Sequence, residues 1–248
     1  MTDRMNALVT GANKGIGFAI ARQLGEKGYA IWLGCRDETR GRRAADALKA
    51  DGIEAEPLAL DVTSDAGVSA AAETLSARID ALDVLVNNAG MHYGMTPSTA
   101  EEPLDQMATM FDVNALGAVR VTRAMLPLLR RADAARVVMM SSGLGSVAAT
   151  LDMTSENWTV PMAGYCVSKA ALNMVTVKFA KDLAAEGIKV NAADPGLTAT
   201  DLTGGMGTRT PEEAARVPVA LATLGPLGPT AGFFRGPELD GDIAPYRW

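Results

Sequence analysis

The stretch NALVTGANKGIG, residues 6–17, decides the fold of this chain. Residues 6–10 are apolar and predict a strand, whereas residues 15–27 predict a helix that Gly28 closes. The glycines of the intervening TGANKGIG permit a tight turn, and the start of the helix offers free backbone N–H groups and the positive end of the helix dipole. A turn of this kind after a first strand indicates a site that binds a diphosphate.

Strand-like and helix-like segments alternate along the rest of the chain. The predicted strands are residues 6–10, 29–34, 56–61, 82–87, 136–141 and 189–194. The predicted helices are residues 15–27, 39–51, 65–78, 105–131 and 163–186, followed by a short helix that begins at Thr210-Pro211. The alternation predicts an α/β fold with a Rossmann-type, doubly wound parallel sheet in a three-layer α/β/α arrangement, forming a single domain over residues 1–248.

Four details qualify this prediction. Pro127 is expected to bend the long helix or to end its regular part, because proline cannot donate a helical hydrogen bond. Residues 151–160 and 203–209 are irregular, and the second segment is rich in glycine. Residues 225–248 contain proline and glycine turns around a possible short strand near residues 232–235.

Composition narrows the class of protein. The chain has 248 residues, of which 21% are charged and 48% hydrophobic, and its net charge is −6. These values are typical of one globular domain, and the acidic balance argues against a nucleic-acid partner. No leader or membrane-spanning run is recognised, so we expect a cytoplasmic protein with no membrane partner. Two isolated cysteines and one histidine predict neither a disulfide nor a metal site.

Further motifs follow the first turn in a fixed order. They are Asn87-Asn88-Ala89-Gly90, Asn114 in the long helix, Ser142 with Gly145, Tyr165-Cys166-Val167-Ser168-Lys169, and Asp194-Pro195-Gly196 through Thr200. Each motif alone is weak evidence for a protein family, but all of them together in this order are specific to one. From about Met5 to Phe234 the chain resembles the short-chain dehydrogenase/reductase family.

The resemblance implies a set of site residues. The catalytic residues would be Asn114, Ser142, Tyr165 and Lys169. The residues that bind a nicotinamide dinucleotide would be Gly11, Asn13, Lys14, Gly15, Ile16, Gly17, Arg36, Asp61, Val62, Asn88, Ala89, Gly90, Tyr165, Lys169, Pro195, Gly196, Thr198 and Thr200. Within this set, Asp61 and Val62 are implied at the adenine, residues 88–90 along the ribose, and the two threonines near the carboxamide and phosphates.

The residue that ends the second strand favours NADP(H) as the cofactor. An acidic residue at this point holds the ribose hydroxyls of NAD, whereas an arginine accommodates the 2′-phosphate of NADP. Here Cys35 is followed by Arg36, and Lys14 in the turn adds a second cation. The alternative for Arg36 is a solvated surface residue. Asp37 lies one position further on, so some use of NAD stays open.

Tyr165 and Lys169 are four residues apart and therefore share one helix face. An ammonium about 4 Å from a phenol contributes on the order of 4 kcal/mol at an effective dielectric near 20, or roughly 3 pK units. We therefore expect Lys169 to bring the pKa of Tyr165 close to neutrality, so that Tyr165 can exchange a proton with a carbonyl or alcohol oxygen. Ser142 would hydrogen-bond that oxygen, although Ser141 competes for the role. The resemblance implies that Asn114 anchors a water linked to Lys169.

The spacing between Ser142 and Tyr165 is longer than in the simplest family members, which indicates a small insertion near residues 151–160. With the turn motif and Arg36, this insertion resembles the branch of NADPH-dependent carbonyl reductases. Trp158 and Met162 are hypothesised to border the substrate pocket, although Trp158 packing the insertion onto the body is equally consistent. Tyr93 and His92 are expected near the mouth of the cleft. Residues 203–209 either close over the substrate or are merely irregular.

The predicted activity is reduction of a ketone or aldehyde to an alcohol, or the reverse, on a small-molecule substrate that the motifs do not identify. Two alternatives stay open on the same fold: a non-catalytic NADP sensor and an NAD-preferring alcohol dehydrogenase. An epimerase or dehydratase would need a further substrate domain, for which the chain leaves little room. The family implies a homodimer or homotetramer, with a monomer as the alternative.

Overall fold

An eight-stranded sheet forms the centre of the protein in the computed structural model, which describes residues 4–96, 98–236 and 243–248. The strands are β1 (Asn6–Thr10), β2 (Ala30–Cys35), β3 (Ala55–Ala59), β4 (Val84–Asn87), β5 (Arg136–Met140), β6 (Lys189–Asp194), β7 (Phe233–Arg235) and β8 (Ala244–Pro245). Their order is β3-β2-β1-β4-β5-β6-β7-β8, and only the last pair is antiparallel. The predicted Rossmann-type parallel sheet is confirmed.

The sheet is buried on both faces because consecutive strand residues enter different cores. Ala7 and Val9 pack into one hydrophobic cluster, whereas Leu8 packs into the other. Continuous apolar strands are the pattern expected when helices cover both sides of a parallel sheet. The order of the strands reverses between β1 and β4, and this is the place where ligands bind in open α/β sheets.

Helices cover the two faces. They are α1 (Gly15–Glu26), α2 (Glu38–Ala50), α3 (Asp65–Ser76), α4 (Leu104–Phe111), α5 (Gly117–Leu129), α6 (Val147–Thr150), α7 (Ala163–Leu183), α8 (Pro211–Ala214) and α9 (Arg216–Ala222). Side-chain caps fix several of their starts: Ser64 accepts from Gly67 N at 3.0 Å, and Thr210 forms a reciprocal capping box with Glu213. Caps of this type satisfy backbone donors that a helix itself leaves free. The structure described contains no helix long and apolar enough to cross a membrane.

The predicted long helix 105–131 is not continuous, and its regular part does not end at Pro127. A π-helical turn, Asp112–Leu116, separates α4 from α5, while Pro127 lies inside α5, which continues to Leu129. The wide turn carries Asn114, whose amide nitrogen donates to Ser168 Oγ at 2.9 Å and to the carbonyl oxygen of Met91 at 2.9 Å. Specific side-chain partners, rather than a proline, therefore coincide with the irregularity, as is common for π-bulges near functional sites.

The C-terminal segment adds a strand that the sequence pattern does not predict. β7 confirms the strand expected near residues 232–235, and β8 pairs with it in antiparallel fashion. Tyr246 N donates to the carbonyl oxygen of Phe233 at 2.7 Å, and Trp248 stacks on the Phe233 ring with a centroid separation of 5.3 Å. A two-residue strand containing a proline has no periodicity, so only its tertiary contacts reveal it.

Candidate active site

The predicted site residues lie at the carboxyl ends of four neighbouring strands. The first glycine-rich turn follows β1, Asn88 follows β4, Ser142 follows β5 and Pro195 follows β6. In a parallel sheet these ends meet at one edge, so motifs that are distant in sequence converge there.

Glycines and Asn88 fix the conformation of the turn of residues 10–17. Gly11 and Gly15 have φ angles of +65° and +57°, which favour glycine. A Cβ atom at Gly17 would lie 2.5 Å from Asn88 Nδ2 and 2.6 Å from the carbonyl oxygen of Gly11. Asn88 Nδ2 donates to the carbonyl oxygen of Thr10 at 2.8 Å, which fixes the turn to β4.

The start of α1 is suited to an anion. None of the side chains described caps its N-terminus, so the first N–H groups are left for another acceptor. The helix has 12 residues, and its dipole places partial positive charge at the same point. A backbone-lined turn with these donors fits the diphosphate of a dinucleotide. Ile16 lies partly buried against the first hydrophobic cluster, so the helix start is anchored to the body of the protein.

Cations surround the outer side of this turn, in an arrangement that differs from the simple expectation for Lys14. Lys14 Nζ forms an ion pair of 2.6 Å with Asp201, and the same hollow is lined by Asn13 and Arg40. Arg36 is exposed, and its charge helps to hold the pKa of Asp61 below the usual value. The ammonium of Lys14 is thus paired with the carboxylate of Asp201. Arg40 is an additional cation beside this turn that was not predicted from the sequence. Its position four residues after Arg36 could have indicated it.

Asp61 and Val62 follow the end of β3 and have local partners. The carboxylate of Asp61 accepts hydrogen bonds from Thr63 N at 3.0 Å and from Thr63 Oγ1 at 2.7 Å, and these bonds are the main cause of its lowered pKa. Val62 packs against the start of α5, where a Cβ at Gly117 would lie only 2.9 Å from Val62 Cγ2. Both residues are therefore fixed beside the site.

Asn114 connects three segments of the site. Its Oδ1 atom accepts from Met91 N at 2.8 Å, and its Nδ2 atom donates to Ser168 Oγ in α7. A Cβ at Gly90 would lie 3.3 Å from Asn114 Oδ1 and 3.5 Å from Lys169 Nζ. The backbone of Ala89 and Gly90 thus lies between the Asn114 amide and the Lys169 ammonium. Ser168 was missed from the sequence because nothing in its spacing signals a partner on the π-helical turn after α4.

The two adjacent serines after β5 have different partners. Ser141 is buried and donates to Asn173 Oδ1 at 2.5 Å. Ser142 caps the short 3₁₀ turn Gly143–Gly145, and its hydroxyl lies near enough to Tyr165 to lower the pKa of the phenol. Of this pair, Ser142 is therefore the residue in contact with Tyr165.

The expected lowering of the Tyr165 pKa by Lys169 is not found in the structure. Burial is the largest influence on Tyr165 and raises its pKa above the usual 10.0. Lys169 is only 4% exposed, donates to the carbonyl oxygen of Met140 at 2.7 Å, and has its pKa lowered by burial to about 8. Its Nζ atom lies 5.6 Å from the Tyr165 ring centroid. The two groups are neighbours, but desolvation disfavours the charged form of each.

His92 lies between Tyr165 and Leu202, the residue that precedes the glycine-rich segment 203–209. Its ring meets the Tyr165 ring edge-on at 5.6 Å, and its Nδ1 atom accepts from Gly94 N at 2.9 Å. Burial is the main cause of its lowered pKa, and the nearby backbone of Leu202 acts in the opposite direction. A histidine that uses Nδ1 as an acceptor carries its proton on Nε2, so the neutral ring joins the two segments.

The segment after β6 meets the first turn. A Cβ at Gly15 would lie 3.6 Å from Thr200 Cγ2, and Thr200 N donates to Thr203 Oγ1 at 3.1 Å. Thr198 is buried, and its hydroxyl donates to the carbonyl oxygen of Gly196 at 3.0 Å. The structure therefore brings these predicted cofactor residues onto the same side of the sheet as the glycine-rich turn.

The three substrate candidates differ in exposure. Trp158 lies on the 3₁₀ turn Glu156–Thr159 and is 48% exposed, and Tyr93 is 50% exposed. Met162, just before α7, is buried. Other large apolar side chains are exposed on the loops around these residues, namely Met95, Met153, Leu202 and Met206. The segment 151–160, expected to be irregular, has this 3₁₀ turn, and α6 precedes it.

Comparison with known proteins agrees with the geometry. The sequence model of the family described as short chain dehydrogenase matches residues 5–210. The (+)-neomenthol dehydrogenase of Arabidopsis thaliana is 32% identical, with 88% of this chain and 91% of that protein covered.

Two solved structures are also similar. The salutaridine reductase of Papaver somniferum has a TM-score of 0.78 at 28% identity, covering 93% of this chain and 99% of that one. An NADPH-bound carbonyl reductase from chicken fatty liver has a TM-score of 0.82 at 27% identity, covering 94% of this chain and 96% of that one.

Proposed function

This chain belongs to the short-chain dehydrogenase family, and on that premise we propose that it is an NADPH-dependent reductase of a ketone or aldehyde carbonyl. Membership supports oxidoreductase chemistry between a carbonyl and an alcohol. The observation that carries the finer proposal is the placement of the buried Lys169 ammonium 5.6 Å from the Tyr165 ring centroid, with Ser142 near enough to lower the pKa of Tyr165. These groups can hold, polarise and protonate a carbonyl oxygen at one place.

In the proposed reaction, NADPH supplies the hydride when it is bound. The Tyr165 hydroxyl gives its proton to the carbonyl oxygen, and Ser142 stabilises the charge that develops on that oxygen. Lys169 supplies positive charge near the tyrosinate that remains. Asn114 is a positioning residue, because its bonds to Met91 and Ser168 fix the floor beside Lys169.

Three features support NADPH over NADH. Cys35 takes the place of the usual acid, and burial raises the pKa of its thiol to about 11, so it carries no charge to repel a 2′-phosphate. Arg36 and Arg40 offer guanidinium groups, which suit phosphate oxygens. Asp37, the acid that left NAD open, caps α2 by accepting from Arg40 N and pairs with the Arg40 side chain at 3.2 Å. Its carboxylate is thus engaged elsewhere.

The substrate is proposed to be a largely apolar small molecule. The loops around Tyr165 expose aromatic and methionine side chains, and such surfaces suit ligands with few polar groups. The similar proteins include a neomenthol dehydrogenase and a salutaridine reductase, which is consistent with a small organic carbonyl or alcohol. Trp158 and Tyr93 would contact the substrate, and residues 203–209 would lie above it.

A turnover assay tests the proposal. The protein should oxidise NADPH in the presence of at least one member of a panel of ketones, quinones and aldehydes. Tyr165→Phe should lower kcat by roughly 10²–10⁴-fold while leaving NADPH affinity unchanged, because only the proton donor is removed. Tight NADPH binding with no turnover of any panel member would instead favour a sensor. A fully active Tyr165→Phe variant would refute the proton-transfer role.

Cofactor preference is tested separately. Arg36→Ala should weaken NADPH binding by roughly 10- to 100-fold and leave NADH binding nearly unchanged, because a charge-assisted contact to phosphate is lost. Arg42→Ala is the matched control, since Arg42 lies on α2 and pairs with Glu38 at 3.0 Å. Equal losses with both cofactors, or equal losses in the two variants, would contradict the assignment.

A further inference from the structure

A buried ion pair lies behind the Ser142 turn. Asp194 ends β6 and is almost fully buried, and Arg235 ends the neighbouring strand β7. Arg235 Nε lies 3.5 Å from Asp194 Oδ2, and Arg235 Nη2 lies 2.6 Å from Glu156 Oε1. The arginine thus joins the end of the sheet to the 3₁₀ turn that carries Trp158. Removing one partner of such a partly buried pair leaves the charge of the other uncompensated.

Asp194 also adjoins the catalytic candidates. A Cβ at Gly143, the residue after Ser142, would lie 3.0 Å from Asp194 Oδ2 and 3.5 Å from the Tyr246 hydroxyl. The other Asp194 oxygen accepts from Gly196 N at 3.0 Å, in the segment implied to bind the cofactor. The Asp194 carboxylate therefore contacts both the turn that follows Ser142 and the segment implied to bind the cofactor. Tyr165 is proposed to act between these two segments.

The charged and titratable groups around Tyr165 come from several elements. Its own helix contributes Cys166 and Lys169, the segment after β4 contributes His92, the turn after β5 contributes Ser142, and β6 contributes Asp194. Around Asp194 itself lie Arg235, the Tyr246 hydroxyl and, next to Gly196, the Arg209 guanidinium. The charge of the Asp194 carboxylate disfavours the tyrosinate.

We propose that Arg235 and Asp194 are positioning residues that set the acidity of Tyr165: the carboxylate opposes the tyrosinate, and the guanidinium neutralises that opposition. This inference rests on the proposed function of Tyr165 as the acid/base. It makes the two members of one ion pair act in opposite directions, which a purely structural pair would not do.

The direction follows from Coulomb's law in a buried setting. Asp194→Asn removes the negative charge and leaves Arg235, so the tyrosinate becomes easier to form. Its amide oxygen can still accept from Gly196 N, which preserves the local backbone. Arg235→Gln leaves the Asp194 charge unneutralised, so the tyrosinate becomes harder to form. Each shift should be about half a pH unit or more, which corresponds to about threefold in rate below the kinetic pKa.

The test is the pH profile of kcat/KM for alcohol oxidation with saturating NADP⁺, which rises as Tyr165 becomes deprotonated. We expect the rising limb to move to lower pH in Asp194→Asn and to higher pH in Arg235→Gln. Arg235→Lys keeps the charge and should restore the wild-type profile. Glu156→Gln breaks only the exposed contact of Arg235 and serves as the control with an unchanged profile. Thermal unfolding midpoints should fall in both charge variants.

Shifts of the same sign, or no shift, in the two variants would overturn the inference even if both proteins are destabilised. That result would leave the proposed function intact, provided that the wild type turns over and Tyr165→Phe does not. Absence of wild-type turnover would instead remove the proposed function itself. The two failures are therefore distinguished by the wild-type and Tyr165→Phe controls in the same assay.

Discussion

Replacing Lys169 by methionine should make the cofactor-free protein more stable although it removes activity. Burial lowers the pKa of Lys169 from its usual 10.5 to about 8. A difference of this size corresponds to about 3 kcal/mol of destabilisation while the lysine is charged. Methionine loses the bond from Nζ to the carbonyl oxygen of Met140, which costs about 1 kcal/mol. The net gain of about 2 kcal/mol should raise the unfolding midpoint by about 4–8 °C at pH 7.

The pH dependence makes this prediction specific. Because the folded pKa of Lys169 is lowered, the unfolded state binds the proton more tightly, and wild-type stability rises with pH between about 8 and 10.5. The advantage of Lys169→Met is therefore complete below pH 8 and disappears by about pH 10.5. Thermal unfolding of both proteins at several pH values measures it. Lys178→Met, at an exposed position on the same helix, is the control and should show no such trend.

A less stable Lys169→Met variant at pH 7, or a difference that does not change with pH, would refute the reasoning. The first result would mean that the ammonium gains more from its partners than it loses by burial. Loss of carbonyl reduction in the same variant separates the two roles of the side chain, because stability and catalysis then change in opposite directions.

Three further predictions concern the loops. Gly17→Ala should weaken NADPH binding at least tenfold in a fluorescence titration, since its Cβ would collide with Asn88 and the Gly11 carbonyl, whereas Gly225→Ala meets nothing within 4 Å and should bind normally. His92→Phe keeps an aromatic ring near Tyr165 but loses the bond that Nδ1 accepts from Gly94 N, so KM should rise severalfold with little change in kcat; an unchanged KM would contradict this anchoring role. Trp158→Ala should alter the ranking of bulky and small ketones in a substrate panel, and an identical ranking would assign Trp158 to packing alone.

The doubly wound parallel sheet could be predicted because the hydrophobic pattern and the glycine-rich turn constrain it together. Residues 6–17 specify a strand, a tight turn and a helix, and right-handed parallel crossovers then leave few arrangements. The π-helical turn at Asn114 could not be predicted in this way. It coincides with bonds to Met91 and Ser168, which are distant in sequence, so the local pattern of residues 105–131 still indicates one regular helix.

The candidate site was predicted as a set of positions but not as an electrostatic environment. A spacing of four residues places Tyr165 and Lys169 on one face, whatever surrounds that face. The burial of Lys169 and the partial burial of Tyr165 depend on the packing of α7 against the rest of the fold, where a Cβ at Gly145 would lie 2.7 Å from the Lys169 backbone. Spacing therefore suggested a lowered tyrosine pKa, whereas burial raises it. The ion pair of Lys14 with Asp201 was also not predicted, because it depends on how two segments that are distant in sequence come together.

The raised pKa of Tyr165 bears on the direction of the proposed reaction. A raised pKa keeps Tyr165 protonated at neutral pH, and the protonated phenol is the form that carbonyl reduction consumes. Oxidation needs the tyrosinate, which Ser142 and any added positive charge favour and which burial and Asp194 disfavour. The same influences that keep Tyr165 protonated therefore leave little of the tyrosinate that oxidation needs at neutral pH. On the proposed function, reduction should dominate at neutral pH, and oxidation should become efficient only under alkaline conditions.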